Sequence, residues 1–227
     1  MARIAFQRAP SEYDDAFMDK MAGAYLEQTR WTRLRLSALM PLVEPRRGDR
    51  ILDLGCAAGA LTHFFSQQGA TVTGIDSEPK AIEKARSLFP DLEFAVADVS
   101  KLPQGDHSID KAVAGDLVEH LDSPTLNAML RELRRVLIPG GTISIYTPNP
   151  KHVIERLKAH DFVLAQNPTH IGLRTSDQLV AALERNGFTV DRVGWTPSFF
   201  PVLRTVERLL GRVSESFRYR LVIRASS

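Results

Sequence analysis

Cysteine is nearly absent. Cys56 stands alone among 227 residues, so no internal disulfide can staple the chain and stability must come from apolar packing. No apolar run reaches the roughly twenty residues that a membrane-spanning helix needs, and no apolar segment resembling a signal peptide opens the chain. Both absences set the expectation of a cytoplasmic protein. An excess of one charge is also missing. Twenty-nine Lys and Arg face 27 Asp and Glu, which removes any global electrostatic argument for nucleic acid. Internal repeats and low-complexity tracts are lacking too, and the length suits one sizeable core.

What is present is organised around Arg50-Ile-Leu-Asp-Leu-Gly-Cys-Ala-Ala-Gly-Ala-Leu-Thr62, an apolar run, a glycine turn and the start of a helix. A strand that turns sharply into a helix leaves unpaired N–H groups and a positive dipole end, which favour a nucleotide-type ligand. A dinucleotide fingerprint would need glycine at 55, 57 and 60, because the backbone must approach a pyrophosphate closely. The residues there are Gly55, Ala57 and Ala60. The dinucleotide reading therefore loses its motif.

The rest of the chain alternates. Residues 11–40 read as one or two helices, with Ser11 as a cap and Phe17, Met21, Tyr25, Leu34, Leu36 and Leu39 at mixed helical spacing. Strands are expected at 50–54, 70–76, 92–98, 110–115 and 142–147, and helices at 59–68, 79–88 and 124–137. The glycines and prolines fall between them, Pro139-Gly140-Gly141 among them. Five such alternations predict a parallel, doubly wound sheet that binds ligands at the carboxyl ends of its strands. Beyond 150 the pattern loosens to a helix or lid within 151–172, a helix at 177–186 capped by Thr175, and strands at 188–195 and 217–224. The last of these is expected to run antiparallel.

Asp53-x-Gly55-x-x-x-Gly59, the strand-end acids Asp76 and Asp98, and Leu133-Arg-Arg-Val-Leu-Ile-Pro-Gly-Gly141 follow one another in an order that resembles the S-adenosylmethionine-dependent methyltransferases of the Rossmann-like class. The resemblance spans roughly residues 48–195, with Ala57 where the usual form has glycine. It implies an α/β fold, a seven-stranded mostly parallel sheet with an antiparallel last strand, helices on both faces and an N-terminal helical extension. A single domain over 1–227 would then divide into N-terminal helices (1–47), a cofactor-binding half (48–150) and an acceptor-side half (151–227). S-adenosylmethionine is the implied cofactor, held by Asp53, Gly55, Cys56, Gly59, Asp76, Ser77, Asp98, Val99 and Asp116. Asp76 would accept the ribose hydroxyls, although a strand-end Asp also caps helices, while Asp98 and Val99 would hold the adenine. Tyr25 is the N-terminal residue placed to stack on the cofactor.

On the acceptor side stand Asp116, Glu119 and His120 after the fourth strand and His170 after the fifth. Carboxylates and imidazoles in this set could hold a divalent metal such as Mg, and two metal-using branches look similar: the O-methyltransferases of ubiquinone synthesis and the small-RNA 2′-O-methyltransferases. Asp116 stands where those have glutamate, a shorter arm. A metal-free site with His120 and His170 as catalytic groups, and histidines that only line the pocket, are the other two readings. The overall expectation is O-methylation of a small molecule such as a catechol, quinol, sugar or polyketide. An RNA enzyme and a non-catalytic cofactor-binding module are the alternatives.

Residues 199–213 carry apolar positions at helical spacing with Arg204, Arg208 and Arg212 on another side. This suits a lid or core helix, with peripheral membrane contact as the alternative.

Overall fold

The computed structural model describes residues 29–159, 167–198 and 200–227, together with Gly23 and Glu27. The N-terminal positions Ser11, Phe17, Met21 and Tyr25, and Phe199, lie outside the described residues.

Seven strands form one sheet: β1 (Arg50–Leu54), β2 (Thr71–Asp76), β3 (Glu93–Val96), β4 (Ile109–Gly115), β5 (Leu137–Pro148), β6 (Thr189–Thr196) and β7 (Arg220–Ser226). Their order across the sheet is β3-β2-β1-β4-β5-β7-β6, with only β7 reversed. Each parallel pair needs a crossover, supplied in the first half by α2 (Ala60–Ser66), α3 (Pro79–Leu88) and α4 (Ser123–Val136). The remaining helices are α1 (Arg30–Val43), α5 (Val153–Ala159), α6 (Ser176–Arg185) and α7 (Pro201–Leu210).

Strand alternation assigns side chains to two faces. Leu52, Leu54, Ala112, Ala114, Ile143, Ile145, Leu221 and Ile223 pack under α4 and α6, where Leu126, Met129, Leu130, Leu133, Leu179 and Leu183 meet them. Ile51, Val72, Val113 and Val222 point the other way, onto Leu36, Leu39, Leu42 and Val43 of α1 and onto Leu61 and Phe65 of α2. Helix starts follow local chemistry. Asp122 accepts the Thr125 N–H at 2.8 Å ahead of Pro124, and Thr175 with Gln178 forms a reciprocal capping box.

Two expectations need correction. The Pro139-Gly140-Gly141 segment does not precede β5; it lies within it. Pairing jumps from Ile109↔Leu137 to Lys111↔Thr142, so the extra residues bulge out and the strand starts at Leu137. The apolar positions of α7 are not all inward either. Val202 is 81% and Leu209 70% exposed, while Glu207 on the same helix is fully buried. The acid goes inside because it finds partners there: Glu207 Oε1 lies 3.0 Å from His152 Nε2, and its Oε2 accepts the Ser198 N–H. Among the described residues, no helix is long and apolar enough to cross a membrane.

Candidate active site

The turn after β1 holds three residues in the left-handed region, Gly55 at φ 66°, Ala57 at φ 47° and Gly59 at φ 80°. A Cβ on Gly59 would come within 2.6 Å of the Phe94 ring, so the helix can approach β2 and β3 only with glycine there. Behind the turn, Asp53 is buried and accepts the Thr62 hydroxyl at 2.7 Å, which ties the start of α2 to β1. Burial pushes its carboxyl up to about 6, against the Thr62 bond and Arg35.

Asp76 is buried at the end of β2, and the N-cap of α3 is Glu78, whose side chain accepts the Lys80 N–H. The Asp76 Oδ2 accepts the Ala57 N–H at 3.1 Å and its Oδ1 the Glu78 N–H at 2.9 Å, so it ties the glycine turn to the residue that caps α3. Asp98 Oδ1 accepts the Ser100 N–H at 2.8 Å. A cleft at these strand ends is lined by Gly55, Asp76, Ser77, Asp98, Val99, Leu117, His120, Leu121 and Thr125. Two carboxylates beside Val99, Leu117 and Leu121 suit a nucleoside: acceptors for its hydroxyls and amine, apolar walls for its base.

Of the residues expected to hold a cofactor, Gly55, Asp76, Ser77, Asp98 and Val99 line this cleft, whereas Asp53, Cys56 and Gly59 are not in the lining. Burial, the largest cause, and the nearby carboxylates of Asp53 and Asp76 push the Cys56 thiol far up, so it packs as a neutral side chain. Leu117, Leu121 and Thr125 went unnoticed in the sequence. Their signal is position alone, at the carboxyl end of β4 and the first turn of α4.

Asp116 turns elsewhere. At φ 56°, its Oδ2 forms an ion pair with Arg35 Nε at 3.1 Å and its Oδ1 accepts from Arg220 Nη1 at 2.8 Å. Among the described residues, the group able to hold a metal ion is Glu119, His120 and His170, with ligand atoms within 4.8 Å of one another, and Asp116 is not part of it. A short 3-10 turn (Val118–His120) presents the first two. The third arrives on a loop locked by Asn167, whose Oδ1 accepts both the N–H and hydroxyl of Thr169. The Gly172 N–H to Glu119 carbonyl bond, 2.8 Å, closes that loop on the turn, and a Cβ at Gly172 would strike the Leu121 carbonyl. His120 Nδ1 lies 3.2 Å from the Thr169 carbonyl, and the two imidazoles meet edge to face with centroids 5.0 Å apart.

Burial controls the protonation of this group. Glu119 is pushed up to about 8 by burial and by Asp116, with Arg220 and the Thr147 hydroxyl bond pulling the other way. His170 is pushed below its ordinary value by burial, opposed by Glu155, and its Nδ1 is buried with no hydrogen-bond partner. The imidazole is therefore neutral near pH 7, free to take a proton or to bind a cation.

Residues 51–141 match the family described as Methyltransferase domain. The chain is 29% identical to the ubiquinone biosynthesis O-methyltransferase of Paracidovorax citrulli, across 55% of this chain and 55% of that one. It is 32% identical to the malonyl-[acyl-carrier protein] O-methyltransferase of Pectobacterium atrosepticum, across 63% and 51%. It thus spans about half the length of the curated relatives it matches. A solved S-adenosylmethionine-dependent methyltransferase from Archaeoglobus fulgidus superposes with a TM-score of 0.71 at 21% identity, covering 93% of this chain and 98% of that one.

Proposed function

We propose that this chain, which carries a methyltransferase domain of the Rossmann-like, S-adenosylmethionine-dependent class, transfers a methyl group to a hydroxyl of a small-molecule acceptor. S-adenosylmethionine, when bound, supplies a methyl already activated on a sulfonium. The remaining work falls to the chain. Asp76 accepts the ribose hydroxyls, Asp98 and Val99 take the adenine, and the turn at Gly55 lets the backbone close on the ligand. Leu117 and Leu121 exclude water from the reacting centre. His170 accepts the acceptor's hydroxyl proton at an imidazole nitrogen kept neutral by burial, and His120 fixes the geometry between cofactor cleft and base.

One observation carries this reading. His120 lines the cofactor cleft and at the same time contacts the His170 ring, so the basic group lies one side chain away from where the methyl arrives. Oxygen as the accepting atom is supported by the printed names of both curated relatives. His170→Ala is expected to lower turnover by about 10²–10⁴-fold, the usual worth of a positioned base, with binding of the demethylated cofactor unchanged by calorimetry. Normal turnover in that variant would remove the role.

A second reading is favoured by the convergence of Glu119, His120 and His170. Two imidazoles and a carboxylate suit a divalent transition ion better than Mg, which prefers oxygen. Such an ion would orient the acceptor and lower the pKa of its hydroxyl. It would also hold Glu119 ionised. Activity lost on chelation and restored by Mn, Fe or Zn supports this reading; indifference to chelator and added metal supports His170 acting alone.

A further inference from the structure

Beside the acceptor-side group lies a guanidinium whose donors are mostly unspent. We infer that Arg220 anchors a carboxylate on the acceptor, so that the substrate is a hydroxy acid and not a neutral hydroxyl compound. This rests on the methyl-transfer reading above and names its substrate class.

Because β7 runs antiparallel, with Arg220 opposite Pro148, its first residue lies at the carboxyl edge of the parallel strands, where β4 delivers Asp116 and Glu119. The guanidinium carbon is 5.6 Å from the centroid of Tyr146 and 5.2 Å from that of Tyr219, within cation–π reach of both rings. Two arginines share one acid there: Asp116 gives one oxygen to Arg35 and the other to Arg220. Glu119 does not complete the set. Its Oε1 is 3.9 Å from Arg220 Nη1, beyond hydrogen-bond reach, and its Oε2 accepts the Thr147 hydroxyl at 2.9 Å.

Among the described residues, Arg220 therefore makes one hydrogen bond, from Nη1 to Asp116, while its Nε is buried with no partner. A guanidinium offers five donors in a rigid fork, and a buried donor left unmade is costly. A carboxylate supplies two coplanar oxygens that match such a fork, whereas a neutral hydroxyl supplies one and no charge. The fork also lies beside the candidate chemistry. Arg220 Nη1 is 3.9 Å from Glu119 Oε1, and Glu119 converges with His120 and His170, so an acid held by Arg220 stands next to that group.

Two ligands that differ only in this group test the inference: 3,4-dihydroxybenzoate and catechol, titrated calorimetrically into the whole chain saturated with S-adenosylhomocysteine. The acid is expected to bind about tenfold or more tightly than the neutral diol, the usual worth of a charge-assisted pair. R220Q is expected to bring that ratio close to one. R220K, which keeps the charge and a donor to Asp116 but lacks the fork, should lose most of the preference while still taking up S-adenosylhomocysteine, and it keeps the test readable if R220Q does not fold. Equal affinities in the parent chain, no heat from either ligand, or a preference surviving in R220Q would each overturn the inference. Loss of S-adenosylhomocysteine binding in the parent chain would instead overturn the methyl-transfer reading beneath it.

Discussion

The carboxyl of Asp53 shows what a single residue contributes at this site and what it costs. It joins β1 to α2 through Thr62, yet burial pushes it up to about 6 from an ordinary 3.8. The folded chain therefore holds this proton longer than the unfolded chain does. Stability is highest below pH 4 on this account, falls as pH rises toward 6, and stays lower by roughly 3 kcal/mol above it. Asp53→Asn keeps an oxygen for the Thr62 hydroxyl and removes the buried charge. Urea unfolding should find the variant more stable than the parent at pH 7.5 by roughly 2–3 kcal/mol, with the gap closing at pH 4. A gap that persists at pH 4 would assign the effect to packing. At this scale the sequence was informative where function depends on nearby chain. That Gly55, Asp76 and Asp98 would share one cleft was legible because turn and strand end lie close in the chain. The partners of Asp116, Arg35 and Arg220, were not legible, because they come from α1 and β7 and no local pattern announces a pairing across the sheet.

Elements were legible to the extent that burial follows periodicity. Leu126, Met129, Leu130 and Leu133 of α4 face the core as their spacing requires. The limit appears in α7, where periodicity separates two faces but cannot say that an acid is the buried member. Glu207 could be placed only once His152, from the far side of the loop 149–152, and the Ser198 N–H were seen to meet it. The helix is held to the body of the protein by this polar contact. Glu207→Ala leaves a buried imidazole and a buried N–H unpaired, and it is expected to cost about 3 kcal/mol or more. Glu207→Gln retains an acceptor and a donor and should cost less than half of that. Limited proteolysis should cut the 200–214 segment of the alanine variant faster, and equal cleavage in both would show that apolar contacts hold α7. The β5 bulge is a comparable case. Pro-Gly-Gly reads as an end to structure, yet β4 pairs before and after it, at Leu137 and again from Thr142, and the segment between bulges out.

At the scale of the whole molecule, strand order places the groups of the candidate site at the carboxyl edge of the parallel strands. β1, β2, β3 and β4 end at the cleft lined by Gly55, Asp76, Asp98 and Leu117, β4 and β5 end at Glu119 and Thr147, and the reversed β7 begins there with Arg220. The parallel half was readable from the strand and helix alternation. The reversal of β7 was expected as well, but not that its first residue, Arg220, would meet Asp116 of the β4 end, since the two are far apart in the chain. A ligand that binds this edge binds only the folded chain, since its contacts come from Gly55 through Thr125 and exist nowhere else. Binding must therefore raise stability by mass action. At a concentration about a hundredfold above its dissociation constant, S-adenosylhomocysteine should add roughly 2.7 kcal/mol. For a domain of this size that moves the melting midpoint up by about 5–10 °C. NADH should leave the midpoint where it was, because Ala57 and Ala60 occupy positions where a pyrophosphate needs bare backbone. A shift with NADH and none with S-adenosylhomocysteine would mean that Asp76 and Asp98 brace the loops around them and hold no sulfonium nucleoside.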